Sequence, residues 1–346
     1  MAQIDEKISR RTLIKAAATL ALSGCSISAG KGDIEVSPDQ RTSRVKGDST
    51  VAILSVDSYE QDFSKSLTSL LSTMPVPSLK GKKVVIKPNM VDFNPGKPLC
   101  TDPAMIELAA RVADALGAKE IVVAEGPGHF RDTEFLLETS GIGRQLKKTG
   151  LPFVDLNVDE LEKVENRHGF TRLEYFYLPR TITDADVVIS LPKLKTHHWV
   201  GVTASMKNFF GVVPGRKYGW PKNLLHIEGI GRSIIDVVRL MPPHLAIVDA
   251  IVAMEGDGPL NGSAKRSGFV AAGSDLAAVD ATCTRAMGVD PFTLPYLRLA
   301  GEVIGNIDRA NITVLGTTLE SITRTFQMPA IYKDPALLKR AASGAS

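Results

Sequence analysis

Four lysines in this chain stand where a phosphate or a carboxylate could be held. Lys87 ends the apolar run KVVIK and leads into Pro88-Asn89. Lys193 and Lys195 lie in Pro192-Lys193-Leu194-Lys195-Thr196-His197-His198, and Lys207 lies in Met206-Lys207-Asn208. In one cleft their ammonium groups would bind a small anion, with Asn89, Thr196 and Asn208 as neutral hydrogen-bonding partners. A lysine crowded by other cations has a lowered pKa, so Lys193 or Lys195 can also act as base or nucleophile. A second set offers carboxylates and imidazoles: Asp249, Glu255, Asp257, His197 and His226. His197, Asp249, Glu255 and Asp257 together suit a divalent Zn, Mn or Fe better than Ca. Without a metal, the same four residues can supply an acid–base pair. His129, in a Gly-Pro-Gly-His turn, is a further imidazole. Each residue also has a plainer reading, as a solvated loop lysine or a hydrogen-bonded structural histidine.

Other chemistries are excluded by missing patterns. There is no GxGxxG after a strand, no GxxxxGK[ST], no GxSxG and no HExxH. Dinucleotide, P-loop and nucleophile-elbow functions are therefore not expected. The three cysteines, Cys25, Cys100 and Cys283, are far apart with no CxxC. That argues against a disulfide framework, a Cys-rich zinc site and an iron–sulfur cluster held by this chain alone.

The residues must be positioned by a body of alternating strands and helices. Short apolar runs at Thr50–Val56, Lys83–Lys87, Glu120–Ala124, Asp186–Leu191, Leu245–Asp249 and Asn311–Leu315 have the length of buried strands. Helices are expected from Asp102-Pro103 to about Leu116, over Ile230–Leu240, and from Ser274 or Asp275 through Ala286. The pattern predicts an α/β fold, a mostly parallel sheet with helices on both faces, with insertions. Phe153–Tyr177 reads as extra strands or a hairpin, and Gly201–Lys222 as a long loop holding a short helix. Open parallel sheets bind ligands beyond the carboxyl ends of their strands. The chemically distinctive segments fall there: Lys87-Pro88-Asn89, Glu125-Gly126-Pro127-Gly128, the Lys193–His198 segment, and Asp249 with Glu255-Gly256-Asp257.

The composition is that of a globular protein: 346 residues, 44% hydrophobic and 23% charged, with 29 Gly and 20 Pro. Residues 1–24 carry four of the 41 Lys and Arg and two of the 38 Asp and Glu, leaving 37 against 36 in the remainder. A body so close to neutral does not suit a nucleic-acid binder. Ser9-Arg10-Arg11-Thr12-Leu13-Ile14-Lys15 followed by a short apolar run reads as a twin-arginine export signal, and Leu22-Ser23-Gly24-Cys25 as a lipoprotein box with Cys25 as the lipidated residue. Expected are a signal peptide at 1–24, a flexible tether at 25–49, one α/β domain at 50–330 and a tail at 331–346. The protein would be exported and held by its lipid on the periplasmic side of a bacterial cell envelope.

The chain resembles the bacterial and archaeal domain-of-unknown-function-362 family over about residues 50–315. The resemblance rests on Lys87-Pro88-Asn89, Thr101-Asp102-Pro103, Glu125-Gly126, Leu191–His197, Met206–Gly211, Asp249-Ala250, Glu255–Pro259 and Asp280-Ala281. It implies no set activity. Many members carry an added ferredoxin-like segment, which implies a redox context; this chain lacks its cysteines, so electron transfer would need a separate partner protein. Two functions fit the residues. One is an enzyme acting on a small anionic substrate, with Lys193, Lys195, His197 and Asp257 catalytic and Lys87, Asn89, Thr196, Lys207 and Asn208 binding. The other is a non-catalytic envelope protein that captures or carries an anionic ligand, metal or cofactor.

Overall fold

The computed structural model describes residues 36–41, 47–128, 131–167 and 169–332. The expected export signal, Cys25, His129 and residues 333–346 lie outside the described residues. Strands β1 (Ser49–Ser55), β2 (Lys83–Pro88), β3 (Glu120–Glu125) and β4 (Phe153–Asp155) are followed by β5 (Leu161–Glu165) and β6 (Tyr175–Pro179). Then come β7 (Val187–Leu191), β8 (Lys193–His197), β9 (Gly201–Thr203), β10 (His244–Glu255), β11 (Ser263–Gly273) and β12 (Ile312–Gly316). The main sheet runs β12-β1-β11-β10-β7-β2-β3-β4, with β8 pairing to β10 and β9, while β5 and β6 form a separate antiparallel pair. Within the main sheet β2 with β3 and β7, β3 with β4, β10 with β7 and β8, and β1 with β12 are parallel. β11 lies antiparallel to both β1 and β10.

Both faces of the sheet are covered, which explains the continuous apolar strands. Val84 and Ile86 of β2 pack on one face with Leu67 and Leu71 of helix Ser64–Ser72 and with Ile106 and Val112 of helix Pro103–Ala115. Val85 between them packs on the other face, with Ile234 of helix Ile230–Arg239, Val279 of helix Leu276–Ala286 and Leu297 of helix Pro295–Val303. Alternate side chains of a strand leave by opposite faces, so each strand feeds both cores. The helix starts follow their caps: Asp102 accepts from Ala104 N at 2.9 Å with Pro103 first in the helix, and Asp275 accepts from Ala277 N and Ala278 N.

Several boundaries differ from the sequence expectation. The Lys193–His197 segment is not a loop beyond a strand but the strand β8, buried along its whole length. Its alternation places Leu194 in the apolar core and sets Lys193, Lys195 and His197 on the opposite side. β11 was not anticipated, because its first half, Ser-Ala-Lys-Arg-Ser, is polar and only Phe269–Ala272 is an apolar run. The chain at 36–41, inside the expected tether, is docked: Val36 is buried in the core, Gln40 donates to the Gly169 carbonyl and Arg41 pairs with Glu302. No helix among the described residues is long and apolar enough to cross a membrane.

Candidate functional site

The carboxyl end of β2 delivers a lysine into the protein interior. Lys87 is fully buried, and its ammonium donates to Glu125 Oε2 at 2.6 Å, to the Pro88 carbonyl at 2.9 Å and to Asn208 Oδ1 at 3.2 Å. Glu125, at the end of β3, also accepts from Met90 N at 3.1 Å and from Gly126 N at 2.8 Å, so both its oxygens are engaged. Gly211 makes room for this pair: a Cβ there would stand 2.5 Å from Lys87 Nζ and 2.6 Å from a Glu125 oxygen. Burial draws the Lys87 amine down, opposed by the Glu125 carboxylate. A buried pair of this kind survives only when its remaining donors and lone pairs are satisfied, as they are here.

Beside this pair lies a cleft of about 140 Å³, lined by Asn89, Glu125, Lys195, His197, Thr203, Lys207, Lys222 and His226 among others, with Trp199 and Phe210 on its wall. An ammonium group has three donors, and counting them separates the lysines. Lys222 uses all three, donating to the carbonyls of Gly126, Phe210 and Gly211 at 3.1, 3.1 and 2.9 Å. Burial pulls its amine to about 7, while three carbonyl acceptors favour the ammonium form, and we assign it that form. Lys195 uses two, donating to Asn89 Oδ1 at 2.6 Å and the Leu99 carbonyl at 2.9 Å; burial is the main cause of its amine falling to about 7. Lys207 is half-buried, sits 4.2 Å from the centre of the Phe210 ring, and donates a hydrogen bond to no described residue. Burial first, then the Lys87 charge, brings its amine to about 8 against the pull of Glu125.

The neutral groups of the cleft are also oriented. His197 is buried and its Nδ1 accepts from Trp199 N at 3.1 Å, which leaves the proton on Nε2. Burial, reinforced by Lys207, His198, Lys195 and His226, holds this imidazole neutral, well below the ordinary histidine range. His226 makes the opposite choice: its Nδ1 donates to the Lys222 carbonyl at 3.0 Å, so its lone pair is on Nε2. Trp199, exposed at the mouth, packs its ring edge-on against His198 and His226. Thr203, at the end of β9, is 4% exposed and lines the cleft, yet its hydroxyl has no hydrogen-bond partner among the described residues. A buried hydroxyl without a partner costs about 1–3 kcal/mol, so a group on the cleft side that satisfied it would be stabilised.

Lys207 and Asn208 belong to the short helix Ser205–Asn208, whose start is fixed from outside. The fully buried Asp280 accepts from Ser205 N at 2.7 Å, from the Ser205 hydroxyl and from Met206 N at 3.2 Å. Burial raises its carboxyl to about 7 against these bonds. Asn208 donates to the Lys87 carbonyl and to Ser190 Oγ and accepts from Lys87, so it braces the site with its own groups spent.

The cleft thus gathers Asn89, Lys195, His197, Lys207 and Asn208 as the sequence predicted, with Lys87 behind Glu125. It does not gather the rest. Lys193 pairs with Asp249 at 2.5 Å and donates to the Tyr59 hydroxyl at 2.7 Å, in a separate buried cluster that consumes both partners. Thr196 donates to the Gly256 carbonyl. Glu255 accepts from Gln327 N and pairs with Lys265, and Asp257 accepts from Ala330 N, so the acidic loop clamps the segment at 327–330. The expected metal set of His197, Asp249, Glu255 and Asp257 is therefore not assembled, and no group of three or more His, Cys, Asp or Glu able to hold a metal occurs among the described residues. Sequence reasoning missed Lys222 and Thr203 as site residues. Lys222 had a signal, as a lysine inside the Gly-, Lys- and aromatic-rich segment, whereas Thr203 had none.

The chain is 28% identical over 297 residues to the thylakoid-associated protein sll1697 of Synechocystis sp., covering 82% of this chain and 88% of that protein. Among solved structures it is similar to the lactate racemase apoprotein of Thermoanaerobacterium thermosaccharolyticum, with a TM-score of 0.44 and 13% identity over 74% of this chain and 60% of that one. It is also similar to a protein of Thermotoga maritima, with a TM-score of 0.35 and 15% identity over 61% of this chain and 55% of that one. The chain spans less than two thirds of either solved protein. Residues 84–285, the stretch that runs from β2 to the helix bearing Asp280, match the domain of unknown function DUF362, and the chain belongs to that family.

Proposed function

We propose that the cleft binds a small organic anion and that the protein is an enzyme acting on it through lysine and histidine groups. One observation carries the reading. Lys195, Lys207 and Lys222 line a cavity whose one lining carboxylate among the described residues, Glu125, is already spent on Lys87 and two backbone amides. The cleft is left positively charged, with donors poised for an anion: the third N–H of Lys195, the Nε2–H of His197, the hydroxyl of Thr203 and the ammonium of Lys207. Charge-assisted hydrogen bonds of this type are the strong ones. The volume equals that of about five water molecules, which suits a molecule of a few heavy atoms. Lys195 and Lys207, their amines drawn down to about 7 and about 8, exchange protons close to neutral pH. Groups poised in that way are those an acid–base enzyme needs.

Calorimetric titration with acetate, oxalate and inorganic phosphate tests this. Saturable binding of at least one is expected, weakened about tenfold by Thr203→Val, the loss of one charge-assisted hydrogen bond. Absence of saturable binding to all three, or equal affinity in the variant, would overturn it. We also propose that the enzyme works in the cell envelope, tethered through a lipid on Cys25, on the support of the Arg10-Arg11 motif and the Leu22–Cys25 box. Cys25→Ser is expected to release the folded protein from membranes in fractionated cells; a variant that still sediments with membranes would contradict the tether.

A further inference from the structure

The lysines of the cleft, on the anion-binding reading above, differ in a way that points to the substrate class. Of the four buried or half-buried amines around the cleft, Lys87 and Lys222 each have three acceptors for three N–H bonds, and Lys195 has two. An amine so engaged is held as a fixed donor. Lys207 is the exception. It reaches the cleft, is half-buried rather than sealed, and among the described residues is held only by the face of Phe210. A cation over an aromatic ring gains only about 0.5–1 kcal/mol at exposed sites, a weak hold beside three hydrogen bonds. The same cleft is lined by Thr203, His197 and Lys195, whose hydroxyl, Nε2–H and remaining N–H have no hydrogen-bond partner among the described residues. The cleft therefore offers donors for an anion together with one amine, Lys207, that no hydrogen bond among the described residues holds.

We propose that Lys207 forms a Schiff base with a small oxo acid, whose carboxylate is held by Thr203, His197 and Lys195 while its carbonyl carbon faces the Lys207 amine. The step balances within the cleft. The Lys207 Nζ lone pair forms a bond to the carbonyl carbon as the carbonyl π bond breaks; the oxygen gains a proton and the nitrogen loses one, giving a carbinolamine. The C–O bond then breaks as the hydroxyl takes the proton that the Lys207 ammonium gave up before its attack, water leaves, and a C=N iminium remains, with no oxidant or reductant involved. Lys207 is half-buried and open to solvent, so water can take the first proton from the Lys207 ammonium and return it to the departing hydroxyl. A neighbouring cation and partial burial are the usual means of making a lysine nucleophilic near neutral pH. Lys87 and the desolvated site do both for Lys207. An exposed surface lysine lacks these aids, so labelling should be selective.

The test uses the purified protein with pyruvate as the oxo acid and acetone as the matching ketone without a carboxylate, each with cyanoborohydride. Intact-mass measurement and peptide mapping then locate any reduced adduct. A single adduct on Lys207 from pyruvate, at least tenfold faster than from acetone and absent in Lys207→Met, is expected. An adduct on another lysine overturns the assignment, and equal labelling by acetone overturns the oxo-acid class. Saturable acetate or oxalate binding with no reducible adduct overturns the Schiff base and leaves the anion cleft standing. Failure of every carboxylate to bind removes both. Peptide mapping of the unaltered protein keeps the test decisive even if Lys207→Met is poorly folded.

Discussion

Lys87 and Glu125 show how much of the site is built to hold other residues in place. Both are almost wholly buried, and their contacts are complete. Removing one partner leaves an uncompensated buried charge, which costs about 3–5 kcal/mol. Lys87→Met is expected to lower stability by about that amount in urea denaturation, and a Lys87→Met, Glu125→Leu double variant to recover most of it. An additive double variant would show that the pair is not coupled. At this scale the sequence was informative about residue types and blind to pairings. Lys195 and Lys207 were legible as cleft lysines because they sit in the segments beyond the strand ends, whereas Lys87, read the same way, lies behind Glu125 and does not line the cleft. Lys193, two residues from Lys195, goes instead to Asp249 and Tyr59, because the irregular register between β8 and β10 sets Lys193 beside Asp249 and Lys195 beside Met254. Nothing in the spacing of Lys193 and Lys195 distinguishes the two. The metal expectation failed for a related reason: Glu255 and Asp257 meet backbone amides near residue 330, a long-range contact that composition does not reveal.

Among the elements, the short helix Ser205–Asn208 carries the most chemistry for its length. Four residues are too few for a helix to hold itself, and its start is set by Asp280 from helix Leu276–Ala286. Asp280 is a positioning residue: it touches the helix that bears Lys207 and does not line the cleft. Asp280→Asn, which turns one accepting oxygen into a donor facing other donors, is expected to cost about 1–3 kcal/mol. It should also weaken acetate or phosphate binding several-fold. Full stability loss with unchanged anion affinity would show that Asp280 supports the core but not the site. The helix Pro103–Ala115 and the apolar strands were readable because cap residues and periodicity are local signals. A short helix was expected inside Gly201–Lys222 but not its bounds, which Asp280 sets, and β8 and β9 were not readable, since pairing to β10 and to each other imposes their conformation and leaves only a faint alternation in Lys-Leu-Lys-Thr-His.

For the whole molecule, the buried amines give folding a pH dependence of definite sign. Burial lowers Lys195 to about 7 and Lys207 to about 8, from an ordinary 10.5. Between those values and 10.5 the unfolded chain binds more protons than the folded one, so stability rises with pH through that window. Asp280 acts lower on the scale: raised from 3.8 to about 7, it binds its proton more tightly when folded, and stability from this group falls as pH rises from about 4 to 7. Denaturation midpoints are expected to pass through a minimum close to pH 7 and to climb toward pH 10; a steady decline from pH 7 to 9.5 would contradict the lysine assignment. Anion affinity should move the other way, falling above pH 7 to 8 as Lys195 and Lys207 lose their charge.

The claim on which the rest depends is that a small anion sits among Lys195, Lys207 and Thr203. A crystal of the protein soaked in selenate, measured at the selenium edge, tests it most directly, because the anion then marks its own position. The account predicts one strong anomalous peak in the cleft, within hydrogen-bonding distance of Thr203 Oγ1 and Lys207 Nζ and lost in Thr203→Val. Peaks confined to surface lysines, with the cleft empty at saturating selenate, would contradict it.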